Sequence, residues 1–186
     1  MGSLCTSRLV LRPLRESDRS EFLLALAGAR GLLTEWMPLH EPGEDDEGLF
    51  ARQVRLTIEG ERTGSACRRA GFRGDGRMVG CFNLTHIARG LHFEGDMNWW
   101  VSAEFGGRGL ATEGVQGLLD YAFADLPVGL GLHRVTAGIQ AGNLASRRLA
   151  ERVGFRRREG VRMSLVSGGA WAEHEVWVAE PQIDIG

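Results

Sequence analysis

The stretch that most constrains the fold is a junction where a strand runs through a glycine-rich turn into a helix. Leu91 to Val101 reads as a strand ending in Asn98-Trp99-Trp100-Val101. Ser102-Ala-Glu-Phe-Gly-Gly-Arg-Gly109 reads as a turn, and Ala111, Val115, Leu118, Ala122 and Leu126 share one face of a helix. Strand, glycine turn and helix together form a phosphate-binding arrangement. Glycines let the backbone aim several N–H groups at one point, and a helix start adds unpaired N–H groups and a positive dipole end. The spacing is not that of common nucleotide folds. A Gly-x-x-x-x-Gly-Lys loop needs lysine, which this chain lacks, and Gly-x-Gly-x-x-Gly fits Gly107 and Gly109 only with Thr112 as its last glycine. The turn also follows an antiparallel meander, not the first strand of a βαβ unit. A glycine loop that only tightens a strand-to-helix corner is the alternative.

The rest of the chain sorts into alternating elements. Thr6 to Pro13 reads as an opening strand, and a helix starts at Ser17-Asp18, buries Phe22, Leu26 and Ala29, and ends at Gly31. The acidic run Glu44-Asp45-Asp46-Glu47 caps a second helix through its dipole, with attraction of a basic substrate as a second reading. A strand from Ala66 reaches the Asp75-Gly76 hairpin signal, and Met78 to Ile87 forms the next strand. His133 to Gln140 is a strand, Asn143 caps a helix stopped by Gly154, and Phe155–Leu165 and His174–Ala179 are closing strands. The expected fold is α/β (α+β), a mixed, mostly antiparallel central sheet flanked by helices in the order β-α-α-β-β-β-α-β-α-β-β.

Composition narrows the class. The 186 residues, 43% hydrophobic and 25% charged, fit one domain over 1–186 with a real core. A net charge of −2 gives nucleic acid no electrostatic attraction. All 22 basic residues are arginine, for which GC-rich coding is the plain explanation. Cys5, Cys67 and Cys81 make no metal-ligand or disulfide pattern, and no apolar run approaches the ~20 residues of a membrane span. The expectation is a cytoplasmic enzyme without metal.

The motifs together resemble the GNAT superfamily of N-acetyltransferases. That family's signature runs Val-x-x-x-x-(Gln or Arg)-x-x-Gly-x-(Gly or Ala), and here Val101 is followed by Gly106, Gly109 and Ala111 at matching spacing. Asn143-Leu-Ala-Ser146 and Val153-Gly154-Phe155 look like its second landmark. Arg8-Leu-Val-Leu-Arg12, Trp99-Trp100-Val101, Gly107-Arg-Gly-Leu-Ala-Thr-Glu113 and Leu132-His-Arg-Val135 complete a resemblance to the RimJ/RimL-type branch, which acetylates N-termini of ribosomal proteins.

The resemblance implies acetyl-CoA as cosubstrate, with its diphosphate on Gly106, Gly107, Arg108, Gly109, Leu110, Ala111 and Thr112. The pantetheine arm would lie between the strand ending at Val101 and the strand from Arg134, with the N–H of Trp100 or Val101 on the thioester carbonyl. Asn143 would contact the pantetheine amide, and one of Arg147, Arg148 and Arg152, first of all Arg148, would meet the adenosine phosphates. Ser146 would offer a proton to the leaving sulfur, because the position where many relatives carry tyrosine is Ala150. The family's Gln or Arg position is Gly106 here, so Arg108 must compensate.

Asp96 is the first candidate base for the ammonium substrate, ahead of His86 and Glu94, since alternation puts it on the face of Asn98 and Trp100. Trp36, expected in the loop after the first helix, is the candidate acceptor contact. The acceptor is expected to be an amine, in first place a protein or peptide N-terminal α-amine, and the protein a monomer or homodimer with no nucleic-acid or membrane partner. Rival readings are acetylation of a small-molecule amine and a non-catalytic acyl-CoA-binding module.

Arg108→Ala is expected to weaken coenzyme A binding at least several-fold through loss of a charge-assisted contact. Calorimetric titration measures this, and unchanged affinity contradicts it.

Overall fold

The computed structural model describes residues 2–165 and 170–181. Strands β1 (Leu4–Cys5) and β2 (Leu9–Arg12) precede two 18-residue helices, α1 (Arg19–Trp36) and α2 (Asp46–Thr63). A meander follows, β3 (Cys67–Arg73), β4 (Met78–Ala88) and β5 (Glu94–Val101). Then come α3 (Leu110–Phe123), β6 (Arg134–Ile139), α4 (Leu144–Arg152), β7 (Arg156–Leu165) and β8 (Trp171–Ala179). The strands make one eight-stranded sheet in the order β1-β2-β3-β4-β5-β6-β8-β7. Every neighbouring pair is antiparallel except β5–β6. The mixed, mostly antiparallel sheet and the element order match expectation. The opening strand differs: Thr6 to Arg8 turn the chain, and the strand divides into β1 and β2.

Alternation along the strands sorts side chains onto two layers. Leu9, Leu11, Phe82, Leu84 and Met97 pack with Val115, Leu118 and Ala122 of α3 and Leu149 of α4. Ala70, Cys81 and Trp100 pack on the other face with Phe22, Leu26, Leu49 and Phe50 of α1 and α2. The Phe22 ring meets Trp100 edge-on at 6.1 Å. Helix α3 lies close to the sheet because Gly114 has no side chain. A Cβ there would stand 2.3 Å from the fully buried Phe82 ring.

Three helix ends depart from the sequence reading. Helix α1 runs through Gly31 to Trp36. The ~1 kcal/mol propensity cost of a helical glycine is outweighed by burial of Leu33 one turn before the end. Helix α3 ends at Phe123, which leaves Leu126 outside it and exposed. Only part of the acidic run lies within α2. Asp45 is the N-cap, accepting from Gly48 N–H at 2.8 Å, while Glu44 precedes the helix and pairs with Arg52 at 2.7 Å.

Gly114→Val is expected to destabilise the fold by roughly 2–3 kcal/mol, because the added methyl groups displace the Phe82 ring in a filled core. An unchanged urea midpoint would show that α3 does not depend on this close approach.

Candidate active site

The site begins where a strand pair stops. Strands β5 and β6 are in register only at Glu94↔Arg134, Gly95↔Val135 and Asp96↔Thr136. Beyond Asp96 they separate, although β5 stays paired to β4 as far as Val101↔Gly80 and β6 to β8 as far as Ile139↔Glu175. Two inner edges thus face each other across an opening in the middle of the sheet. Ser102 N–H donates to Val79 O at 2.9 Å, so strand alternation turns the N–H groups of Trp100 and Asn98 toward β4. The same alternation turns those of Met97, Trp99 and Val101 toward the opening. Of the two donors considered for the thioester carbonyl, Val101 faces the opening and Trp100 is engaged by β4. The Trp100 side chain is core.

The glycine turn stands at the end of this opening. Phe105 N–H and Gly106 N–H donate to Ser102 O and Ala103 O, each at 3.0 Å, in a short 3-10 turn. Gly106 is therefore already bonded, and it drops out of the expected cradle. Gly107 and Gly109 have φ of +68° and +76°, a left-handed conformation that glycine adopts without strain. The first backbone bond of α3 is Glu113 N–H to Gly109 O, at 3.0 Å. Among the described residues, no acceptor meets the N–H groups of Gly107, Arg108, Gly109, Leu110, Ala111 or Thr112. Helices α2 and α4 cap their first turns with the side chains of Asp45 and Asn143, whereas α1, which starts at Asp18, and α3, which starts at Gly109, have no side-chain cap. The start of α3, beside the opening, is thus left open to an anion. The Arg108 side chain is exposed beside it, and the Leu110 side chain is buried in the core.

A clamp fixes this turn. Glu113 Oε1 accepts from Thr6 Oγ1 and from Arg8 N–H, and its Oε2 accepts from Arg8 Nε, each at 2.6 Å. Arg8 Nη1 donates to Arg108 O at 3.0 Å. The β1–β2 turn thus holds the carbonyl side of the glycine turn and leaves its N–H side open. These contacts span 100 residues of chain or more, and a sequence motif containing Arg8 or Glu113 gives no sign that they meet.

The remaining candidates surround the opening. Asn143 spends its side-chain oxygen on Ser146 N–H, at 3.1 Å. Ser146 is half-buried in the first turn of α4, and Ala150 is fully buried one turn on. Arg148 is exposed on α4, while Arg147 pairs with the buried Glu175 at 3.3 Å. Trp36 is the last residue of α1, not a loop residue. Its ring lies against Gly142, and its carbonyl accepts from Gln140 Nε2 at 3.5 Å, which puts it beside the C-terminal end of β6.

Asp96 is the last paired residue before the strands separate. Its Oδ2 lies 3.2 Å from His86 Nδ1 and its Oδ1 3.0 Å from Arg162 Nη2. His86 stands in a β4 bulge with φ +51°, the local irregularity that aims its ring at Asp96. Glu94 pairs with Arg134 at the other end of β5, away from the opening. The partnership of Asp96 with Arg162 was not legible in the sequence.

Comparison with known proteins agrees with this geometry. A family model described as "Acetyltransferase (GNAT) domain" matches residues 8–156. The curated Bacillus subtilis (strain 168) protein "Probable N-acetyltransferase YjcK" is 33% identical over 102 residues, 55% of this chain and 54% of that protein. The chain thus matches about half the length of this relative. Mycobacterium smegmatis RimJ, solved with CoA-disulfide, superposes with a TM-score of 0.77 at 25% identity, over 92% of this chain and 81% of that one. Ribosomal-protein-S5-alanine acetyltransferase from Vibrio fischeri gives 0.80 at 21%, covering 98% of each chain. Spermidine N-acetyltransferase from Vibrio cholerae, with CoA and spermine, gives 0.73 at 20%, over 94% and 96%.

The clamp has a pH signature. Partial burial raises the Glu113 carboxyl's affinity for protons, but the hydrogen bonds from Thr6 and Arg8 outweigh this and hold its pKa below the ordinary value. A depressed carboxylate contributes stability above its unfolded pKa of ~4.3, and that contribution is lost as pH falls through the folded value. Glu113→Gln is therefore expected to lower the melting temperature at pH 7 and to flatten its decline below pH 5. Parallel acid limbs for variant and wild type would contradict the clamp.

Proposed function

We propose that this protein, which belongs to the GNAT acetyltransferase family, transfers an acetyl group from acetyl-CoA to an N-terminal α-amine of a protein or peptide. The observation that carries the reading is the row of unbonded N–H groups from Gly107 to Thr112 at the end of an opening between β5 and β6. A diphosphate satisfies those donors, and a pantetheine arm, which carries amides, suits the free strand edges that lead away from them. Arg108 supplies charge to the diphosphate, and Arg148, exposed on α4, meets the adenosine phosphates.

The reaction follows from what surrounds the opening. The acceptor approaches from the α1–α2 face, where Trp36 bounds it, and the carrier from the α3–α4 face. Asp96, directly or through water, takes a proton from the ammonium, with His86 beside it. The free amine attacks the thioester carbonyl carbon, so the N–C bond forms while the C–S bond breaks. Val101 N–H points at the oxygen on which negative charge develops, an interaction that strengthens toward the transition state. The departing thiolate takes a proton from the Ser146 hydroxyl, and the second proton that the nitrogen sheds on becoming an amide restores that hydroxyl. No enzyme nucleophile is required, and burial pushes the thiols of Cys67 and Cys81 up to about 11 and about 12, which leaves them protonated and inert.

A ribosomal-protein acetyltransferase among the structural relatives supports a peptide amine. The relative that holds spermine supports a polyamine as the second reading. Thiol release from acetyl-CoA, measured with N-terminal peptides of varied first residue beside spermidine, separates the two. Turnover is expected with peptides and to fall roughly 10-fold or more in Ser146→Ala, with coenzyme A affinity retained. Turnover on spermidine alone would overturn the peptide reading, and an unchanged rate in Ser146→Ala would remove the serine from proton transfer.

A further inference from the structure

Arg68 occupies a position in β3 that nothing above employs. The register Arg68↔Asn83↔Asn98 places it in one row across the α1–α2 face of the sheet, ending on the stretch of β5 that borders the opening. That row is polar. It sits between the apolar row Ala70–Cys81–Trp100 and the row Thr85–Asp96–Thr136. Asn83 Nδ2 donates to Asn98 Oδ1 at 3.0 Å, tying two members of the row together.

The arginine itself is left out of the network. Six other arginines that are not fully exposed each hold a carboxylate: Arg12 with Asp18, Arg52 with Glu44, Arg69 with Glu61, Arg73 with Asp75, Arg77 with Glu104 and Arg147 with Glu175. Arg68 is partly buried, its Nε is sealed from solvent without an acceptor, and no carboxylate pairs with it among the described residues. Burial lowers its pKa, and Arg52 adds repulsion. A guanidinium in such a place costs stability unless an anion completes it.

We infer that Arg68 is a specificity residue that receives a carboxylate of the acceptor, an acidic side chain near the N-terminus of a peptide. The peptide is favoured over a free amino acid by distance. The Arg68 α-carbon lies two strands from Asn98, roughly 10 Å at ~4.8 Å per strand. The α-carboxylate of a free amino acid sits only two bonds from the amine that must reach the opening. An acidic side chain at the second or third residue of a peptide spans the gap. This inference rests on the amine-acceptor reading above.

The test pairs peptides that differ by one carboxylate, with aspartate or asparagine at the second or third position, and adds free aspartate as a separate arm. Wild-type protein is expected to favour an acidic peptide over its amide counterpart by roughly 10-fold in kcat/KM, a charge-assisted pair being lost in the amide. Arg68→Gln is expected to abolish that preference, mainly through KM, while Arg68→Lys retains part of it. The melting temperature of Arg68→Gln should stay level or rise, since an unpaired charge is removed, whereas a structural arginine would lower it. Equal rates on acid and amide peptides, or a preference that survives Arg68→Gln, overturns the inference, and preference for free aspartate overturns the peptide assignment. Turnover absent with every amine would contradict acetyl transfer itself. In that event calorimetric titration of the same peptides into CoA-saturated protein still reads the carboxylate preference and its loss in Arg68→Gln.

Discussion

The early end of one parallel strand pair governs the rest of this molecule. Backbone N–H and C=O groups inside a sheet are normally spent on neighbouring strands, because leaving them unbonded costs free energy. Here β5 and β6 share only three registered pairs, yet each remains bonded on its outer side. The separation is therefore held open by intact flanking ladders and is not the fraying of a sheet edge. Everything that could serve transfer chemistry lies around that gap: Val101 on its edge, Asp96 at its closed end, the glycine turn and α4 at its mouth, and Trp36 beside the C-terminal end of β6.

Polar backbone groups are left vacant at the mouth by the way the neighbouring groups are filled. Arg8 takes the Arg108 carbonyl and Glu113 takes Thr6 and Arg8, so the turn is fixed from its carbonyl side. Gly114 lets α3 settle against Phe82, which aims the helix end at the gap. Gly107 and Gly109 supply the two left-handed residues that bring the N–H groups round to one side. The Asn143 side chain closes α4 against an anion, and no side chain does the same for α3. The uncapped start of α3 leaves the corner able to accept an anion.

Much of this was legible in the sequence because it depends on local rules. The strand–turn–helix junction, the Asp75-Gly76 hairpin, the Asn143 cap and the face shared by Asp96, Asn98 and Trp100 follow from spacing and turn chemistry. The readings that failed needed tertiary information. Gly31 looked like a helix stop until Leu33 found the core, and Trp36 moved from loop to helix with it. Gly106 looked available until its N–H was spent on Ala103, which lies in an irregular turn that no periodicity announces. The partnership of Glu113 with Arg8, and that of Asp96 with Arg162, join residues 105 and 66 positions apart. The isolation of Arg68 emerges only when the partners of the other arginines are known.

We propose that main-chain amides, more than side chains, hold the carrier. Amide-resolved NMR titration of the protein with coenzyme A tests it most directly, with pantetheine lacking the diphosphate as control. Large shifts are expected at Gly107, Gly109, Leu110, Ala111 and Thr112 with coenzyme A, little change at Gly106, and small shifts at all of them with pantetheine. Equal shifts from both ligands at these amides, or saturation of binding while they stay unmoved, would contradict it.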